Sequence, residues 1–139
     1  MALYRRILVP LGDAGDAAIL EHVVPLAQLT NAEIVLLRVA HYHTRDMKTA
    51  EVAESESLLG AVAARMAGRG VTIRTVVGHG DVTETIIAQA QEQKADLIAL
   101  ASHGHRPLTR AVLGCVSEGV RRGSDVPVLT VRVARAARH

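Results

Sequence analysis

One glycine-containing stretch late in the chain combines backbone donors with positive charge. Gly104 can present its backbone N–H to an anion, and Arg106 and Arg110 can supply the counter-charge. Residues 114–116 open a predicted helix, whose free N–H groups and dipole favour a phosphate group. Ser117 adds a hydroxyl one position further along. These residue types at this spacing predict a phosphate-binding loop. An ordinary surface loop with a glycine turn is the alternative that the residues alone leave open.

Histidines follow several of the predicted strands. Five of the seven lie in this position, and they are His41, His43, His79, His103 and His105. A metal site or a pH-sensitive site is the sharper hypothesis for such a group. However, strand spacing would put His79 ~14 Å from the fourth strand, and no cysteine or carboxylate cluster accompanies the histidines. We therefore predict no metal site, and expect solvated loop histidines or phosphate contacts from His103 or His105.

The single cysteine, Cys115, lies at a predicted helix N-terminus, where a thiolate is favoured. A redox sensor is one interpretation, and a small buried replacement for serine is the one we favour. A lone cysteine excludes an internal disulfide and a multi-cysteine zinc site. The order and spacing of residues suggest no Ser/His/Asp triad and no paired carboxylates, so we predict no catalytic residues. The Gly-Lys-Ser/Thr and G-x-G-x-x-G nucleotide motifs are also missing from the sequence.

Composition limits the class of protein further. The chain has 139 residues, 49% of them hydrophobic, with no Phe, no Trp and two Tyr, so aliphatic side chains must build the core. We expect one domain over residues 1–139, with a frayed tail at 134–139. Missing aromatics and a net charge of +2 without a dense basic stripe argue against nucleic-acid partners. No membrane-length apolar run and no signal peptide are evident, so we expect a cytoplasmic protein.

Apolar runs alternate with helical patterns, which predicts an α/β fold. The predicted strands are 7–9 (ended by Pro10), 34–37, 71–77, 97–100 and 126–133. The predicted helices are 14–30 with a kink at Pro25, 48–66, one opened by a capping box at 81–84, and a fourth that ends at Gly123.

The hydrophobic pattern also predicts the order of the strands. Strands one, two and four are continuous apolar runs, as expected when both faces are covered, whereas strands three and five alternate and should be edges. A doubly wound parallel sheet in the order 3-2-1-4-5 fits this pattern. Its topological switch point lies between strands one and four, where ligands bind at the carboxyl ends of the strands. The predicted site therefore comprises residues 10–13 and 101–104, flanked by 40–43.

Several of these stretches together resemble the universal stress protein family. The family's G-x2-G-x9-G-[ST] signature after the fourth strand is matched by Gly104 and Gly114, with nine residues between them. Residues 7–10, 78–81 and 126–132 are also similar to familiar stretches of the family. The resemblance implies a single five-stranded, adenine nucleotide alpha hydrolase-like sheet and a homodimer formed through the edge strand 126–133.

Three positions depart from the family pattern. Ala101 replaces the first signature glycine, and Cys115 replaces the final Ser/Thr, which removes a hydroxyl ligand but keeps the backbone donor. The acidic residue usually found two places after the strand-one proline, which contacts nucleotide in binding members, is replaced by Gly12. Asp13 follows one place later and would substitute if the turn is re-spaced.

The resemblance implies a small regulatory module that binds ATP or AMP, with Mg²⁺ possible beside ATP, and acts on an unidentified protein. Adenine and ribose would lie near Pro10, Gly12, Asp13, Ala40, His41 and Tyr42. Phosphates would lie near Ala101, His103, Gly104, His105, Arg106, Gly114, Cys115, Val116 and Ser117. Tyr42 is the one aromatic ring on this edge that we expect to stack on a base. The alternatives are a dimeric scaffold without nucleotide and a slow ATP hydrolase.

Overall fold

The computed structural model describes residues 3–102 and 116–133. They form one parallel sheet in the order β3-β2-β1-β4-β5, which confirms the predicted doubly wound fold. The strands are β1 (Arg6–Pro10), β2 (Glu33–Ala40), β3 (Ile73–His79), β4 (Leu97–Ser102) and β5 (Val128–Arg132). β2 and β3 reach further toward the carboxyl edge than predicted, because the two strands remain paired as far as Ala40 and His79.

Helices connect the strands on both faces. They are α1 (Leu20–Thr30), α2 (Arg45–Met66), α3 (Val82–Glu92) and α4 (residues 116–123), and a 3-10 helix (Ala14–Ile19) precedes α1. Where one helix over 14–30 was predicted, the helix type changes at Leu20, and Pro25 lies inside α1. α2 begins three residues before the predicted Lys48, because the Thr44 hydroxyl accepts a hydrogen bond from the Met47 amide.

The predicted N-terminal cap of α3 is confirmed. The Asp81 carboxylate accepts a hydrogen bond of 2.9 Å from the Glu84 amide, which satisfies one of the free donors of the first turn. α4 ends at Gly123, as the sequence predicted.

Alternate residues of each buried strand contribute to two separate core layers. On one face, Ile7, Val9, Ile34 and Leu36 pack with α1 and α2 side chains such as Val23 and Leu59. On the other face, Leu8, Val35, Leu37 and Ile98 pack with Ile86 of α3 and Val120 of α4. Burying both faces explains why β1, β2 and β4 are continuous apolar runs. No helix in the described part of the chain is long and apolar enough to cross a membrane.

Candidate functional site

β1 and β4 stop pairing before they reach the carboxyl edge of the sheet, and we call the space between their ends the crevice. The two strands pair only at Ile7–Leu97 and Leu8–Ile98. Beyond these positions β1 stays with β2, and the Leu11 amide donates a 2.8 Å hydrogen bond to the Leu37 carbonyl. β4 instead stays with β5. The first and fourth strands therefore diverge at the topological switch point, where doubly wound sheets bind ligands.

The turn after β1 forms one wall of the crevice and is organised by two carboxylates. The Asp16 carboxylate accepts a 2.7 Å hydrogen bond from the Gly12 amide. Asp13 caps the 3-10 helix, since its Oδ1 accepts a 3.2 Å hydrogen bond from the Asp16 amide. A Cβ on Gly12 would lie 3.0 Å from Asp16 Oδ2, so the glycine allows this close approach. The backbone of the turn is thus held by its own acidic side chains.

This turn changes the interpretation of the acidic residues. Sequence analysis considered Asp13 as the substitute for the acid missing at position 12, and Asp13 is exposed at the turn, with one oxygen used as a cap. Asp16 was not selected from the sequence, yet its carboxylate lies beside Gly12. The available signal was an aspartate in the first turn of a helix that follows a strand, a position where its hydrogen bonds satisfy free amide groups.

The end of β2 brings aromatic and imidazole rings together. Ala40 is buried, at 1% exposure. The His41 and His43 rings meet edge to face with centroids 5.2 Å apart. The Tyr42 ring lies 6.0 Å from the His79 ring, and Lys48 Nζ lies 6.0 Å from the centre of the same tyrosine ring. Because β3 is the neighbour of β2 opposite to β1, these contacts place Tyr42 on the far side of β2 from the crevice.

Two half-buried residues at the end of β4, Ala101 and Ser102, stand on the other side of the crevice. Val116 and Ser117 are also half-buried, in the first described turn of α4. The remaining predicted site residues lie outside the described residues, and they are His103, Gly104, His105, Arg106, Gly114 and Cys115.

Two charged side chains of α4, Glu118 and Arg121, form an ion pair with each other. The Arg121 guanidinium donates a hydrogen bond to the Glu118 carboxylate, which lowers the pKa of Glu118 and raises that of Arg121.

Within residues 3–102 and 116–133, no three His, Cys, Asp or Glu side chains come together as a metal-binding group. His103 and His105, the other two histidines that follow predicted strands, lie outside these ranges.

Comparison with known proteins agrees with the geometry. A sequence model of the Universal stress protein family matches residues 3–132. Universal stress protein MJ0531 of Methanocaldococcus jannaschii is 28% identical over an alignment 142 positions long, which covers 94% of this chain and 83% of that protein.

Two solved structures have the same fold. A universal stress protein in complex with cAMP matches with a TM-score of 0.78 at 20% identity, over 96% of this chain and 100% of that chain. A universal stress protein family protein from Arabidopsis thaliana with AMP bound matches with a TM-score of 0.70 at 21% identity, over 96% of this chain and 93% of that chain.

Proposed function

Since the chain belongs to the universal stress protein family, we propose that it binds an adenine nucleotide in the crevice between β1 and β4. The observation that carries this proposal is the divergence of the two strands after Leu8 and Ile98. A parallel sheet whose central strands separate at the carboxyl edge offers a cleft lined by backbone groups. Structures with the same fold bind cAMP and AMP, which supports an adenine nucleotide over other ligands.

We assign the adenine and ribose to the β1 and β2 side of the crevice. Gly12, Asp13 and His41 are exposed there, and each can present a polar group to a ligand. Pro10 and buried Ala40 would contribute backbone and shape rather than side-chain contacts. For Tyr42 to stack on the base, its ring would have to move away from the His79 ring, which it now approaches.

We assign the phosphates to the β4 and α4 side. Ala101, Val116 and Ser117 would lie closest among the described residues, and backbone amides at a helix N-terminus suit an anion. The other residues proposed for this role lie outside the described ranges, and they are His103, Gly104, His105, Arg106, Gly114 and Cys115. ATP or AMP would fit this division, with Mg²⁺ beside the phosphates of ATP.

The acidic turn makes binding in this chain distinctive. In the described structure the Gly12 amide already donates to Asp16, so a nucleotide would not receive that hydrogen bond without displacing the carboxylate. Asp13 retains a second oxygen, Oδ2, for a ligand hydroxyl or amino group. The turn thus offers the Asp13 carboxylate in place of an acid at position 12, while Asp16 holds the backbone beside it.

We further propose that the chain acts in the cytoplasm as a homodimer joined through β5 and regulates a partner protein. β5 is an edge strand of the sheet, and Leu129 on it is 36% exposed. An unpaired strand edge with an exposed apolar side chain is a suitable surface for a second copy.

Calorimetric titration with AMP, ATP and cAMP tests the proposed binding, together with analysis of any nucleotide released when the purified protein is denatured. We expect saturable binding with one nucleotide per chain. No heat of binding and no released nucleotide would reject the proposal and favour the dimeric scaffold. Phosphate release from ATP no faster than that of a Gly104→Val variant would exclude the slow hydrolase.

A further inference from the structure

A second cavity lies at the opposite edge of the sheet, where the strands begin. It encloses about 590 Å³ and runs past the starts of β3, β2, β1 and β4. We call it the amino-edge groove and define it by Arg5, Arg6, Glu33, Thr72, Lys94 and Asp96. The whole sheet separates this groove from the proposed nucleotide crevice.

One acidic residue of the groove, Asp96, is used to hold the sheet together. Its carboxylate accepts hydrogen bonds from the Arg5 amide at 2.9 and 3.1 Å and from the Arg6 amide at 3.0 Å. The Asp96 amide in turn donates to the Arg6 carbonyl at 3.0 Å. The Asp96 carboxylate therefore contacts backbone donors, and among the described residues it forms no ion pair with a cationic side chain.

The other acidic residue, Glu33, is shared by two arginines. Arg6 Nε lies 3.0 Å from Glu33 Oε1, and Arg74 Nε of β3 lies 3.2 Å from Oε2. The two arginine side chains remain 40% and 45% exposed. One carboxylate between two guanidinium groups leaves a net positive charge at this point of the groove.

Two further cations of the groove have exposed side chains. Arg5 and Lys94 are both exposed, and neither the Arg5 guanidinium nor the Lys94 ammonium forms an ion pair or hydrogen bond with another described residue. Lys94 has a left-handed backbone, with φ of 56°, in the turn just before β4.

The cations at the groove outnumber its carboxylates. Arg5, Arg6 and Lys94 line it together with the carboxylates of Glu33 and Asp96. Arg74, which does not line the groove, adds a further positive charge through its ion pair with Glu33. An excess of positive charge in a groove attracts anions and orients them.

We propose that the amino-edge groove binds an acidic segment of a partner protein in an extended conformation. Four neighbouring strands span ~14 Å, which corresponds to about four extended residues. The Glu33 carboxylate between Arg6 and Arg74 shows the kind of contact that a partner's Asp or Glu would make with the groove. Arg5 and Lys94 supply the unpaired charges that recognise the segment. This inference does not depend on nucleotide binding, because it concerns the other edge of the sheet.

Fluorescence anisotropy with a labelled hexaglutamate peptide tests this proposal, with hexaglutamine as the uncharged control. We expect hexaglutamate to bind, hexaglutamine not to bind, and the affinity to fall as salt is added. An Arg5→Glu/Lys94→Glu variant should bind hexaglutamate about tenfold more weakly or worse, a loss of ~1.4 kcal/mol. The matched control is Arg45→Glu/Arg65→Glu, which makes the same charge change on exposed positions of α2.

Two outcomes would overturn the proposal. The first is equal loss of binding in both double variants, which would mean that the peptide responds to net charge alone. The second is displacement of hexaglutamate by an equimolar amount of inorganic tripolyphosphate, which would make the groove a phosphate site. Circular dichroism of each variant verifies that the fold is retained.

Discussion

A Cβ atom on Gly119 of α4 would lie 2.7 Å from Cγ2 of Thr83 on α3. One turn later in each helix the pattern repeats, because a Cβ on Gly123 would lie 2.6 Å from Cδ1 of Ile87. At Gly119 the two helices therefore pack close enough to favour glycine, whereas at Gly123 the atom met is the end of the flexible Ile87 side chain. This contact positions α4 against α3. The position of α4 matters for the proposed site because the helix follows the proposed phosphate-binding stretch.

The Gly119 contact predicts an unusual effect of alanine in a helix. Alanine normally stabilises a helix interior by about 1 kcal/mol relative to glycine. At position 119 its methyl group would meet Thr83, whose branched side chain has little rotameric freedom, and overpacking costs roughly 1–3 kcal/mol. We expect Gly119→Ala to lower the free energy of unfolding by up to about 2 kcal/mol in urea denaturation.

Gly60, in the middle of α2, is the matched control. A Cβ there would meet nothing within 4 Å, so Gly60→Ala should stabilise the protein by about 1 kcal/mol. Adding Thr83→Ser to Gly119→Ala removes the methyl group that the alanine meets, and it should restore most of the loss. Equal effects of Gly60→Ala and Gly119→Ala would show that the helices have room to separate.

Asp16 is predicted to stabilise the turn after β1. Its carboxylate accepts a 2.7 Å hydrogen bond from the Gly12 amide, and a hydrogen bond to a charged group contributes roughly 1.5–3 kcal/mol, less when exposed. We expect Asp16→Ala to lower the free energy of unfolding by about 1 kcal/mol. Asp46→Ala, in the exposed first turn of α2, should cost less than half of that. Equal losses, measured by urea denaturation, would contradict a specific role for Asp16.

Tyr42 provides a test of base stacking. If its ring stacks on adenine, Tyr42→Ala should weaken AMP binding by about 1–3 kcal/mol, and Tyr42→Phe should retain most of the affinity. His79→Ala removes the ring that Tyr42 now approaches at 6.0 Å, so it should leave AMP affinity unchanged or raise it. If calorimetry finds the same AMP affinity for Tyr42→Ala as for the unmodified protein, the ring does not stack on the base and contacts only His79 and Lys48 among the described residues.

Leu129 tests the proposed dimer through β5. A charge on an apolar edge strand opposes pairing with a second copy, so Leu129→Lys should shift the protein from dimer to monomer in light-scattering measurements. Leu29→Lys is the control, because Leu29 is 86% exposed and lies on α1 rather than on the edge strand β5. A monomeric unmodified protein, or a dimer that Leu129→Lys leaves intact, would reject this interface.

Patterns within single elements predicted most of the fold. Continuous aliphatic runs in β1, β2 and β4 distinguished the central strands from the alternating edges, and the doubly wound order that fits this pattern is the one observed. The cap at Asp81 was visible in four consecutive residues. These features depend on neighbours along the chain or on burial of a whole strand, so they can be predicted from the sequence.

Features that depend on contacts between elements were not predicted. The 3-10 helix at Ala14–Ile19 and the role of Asp16 arise from the path that the chain takes to leave β1. The contact of Tyr42 with His79 requires the register of β2 and β3, which pairs Ala40 with His79. The requirement for glycine at position 119 cannot be predicted from the sequence of α4, because it arises from contact with Thr83 on α3.

Two-dimensional amide NMR during an AMP titration is the most direct test of the proposed nucleotide site. Binding between β1 and β4 predicts saturable shifts at the carboxyl edge, with the largest at Gly12, His41 and Ser102. The amino-edge amides of Thr72 and Lys94 should not move, because the sheet separates them from the crevice. No shifts at saturating AMP, or shifts confined to the amino edge, would contradict the proposed site.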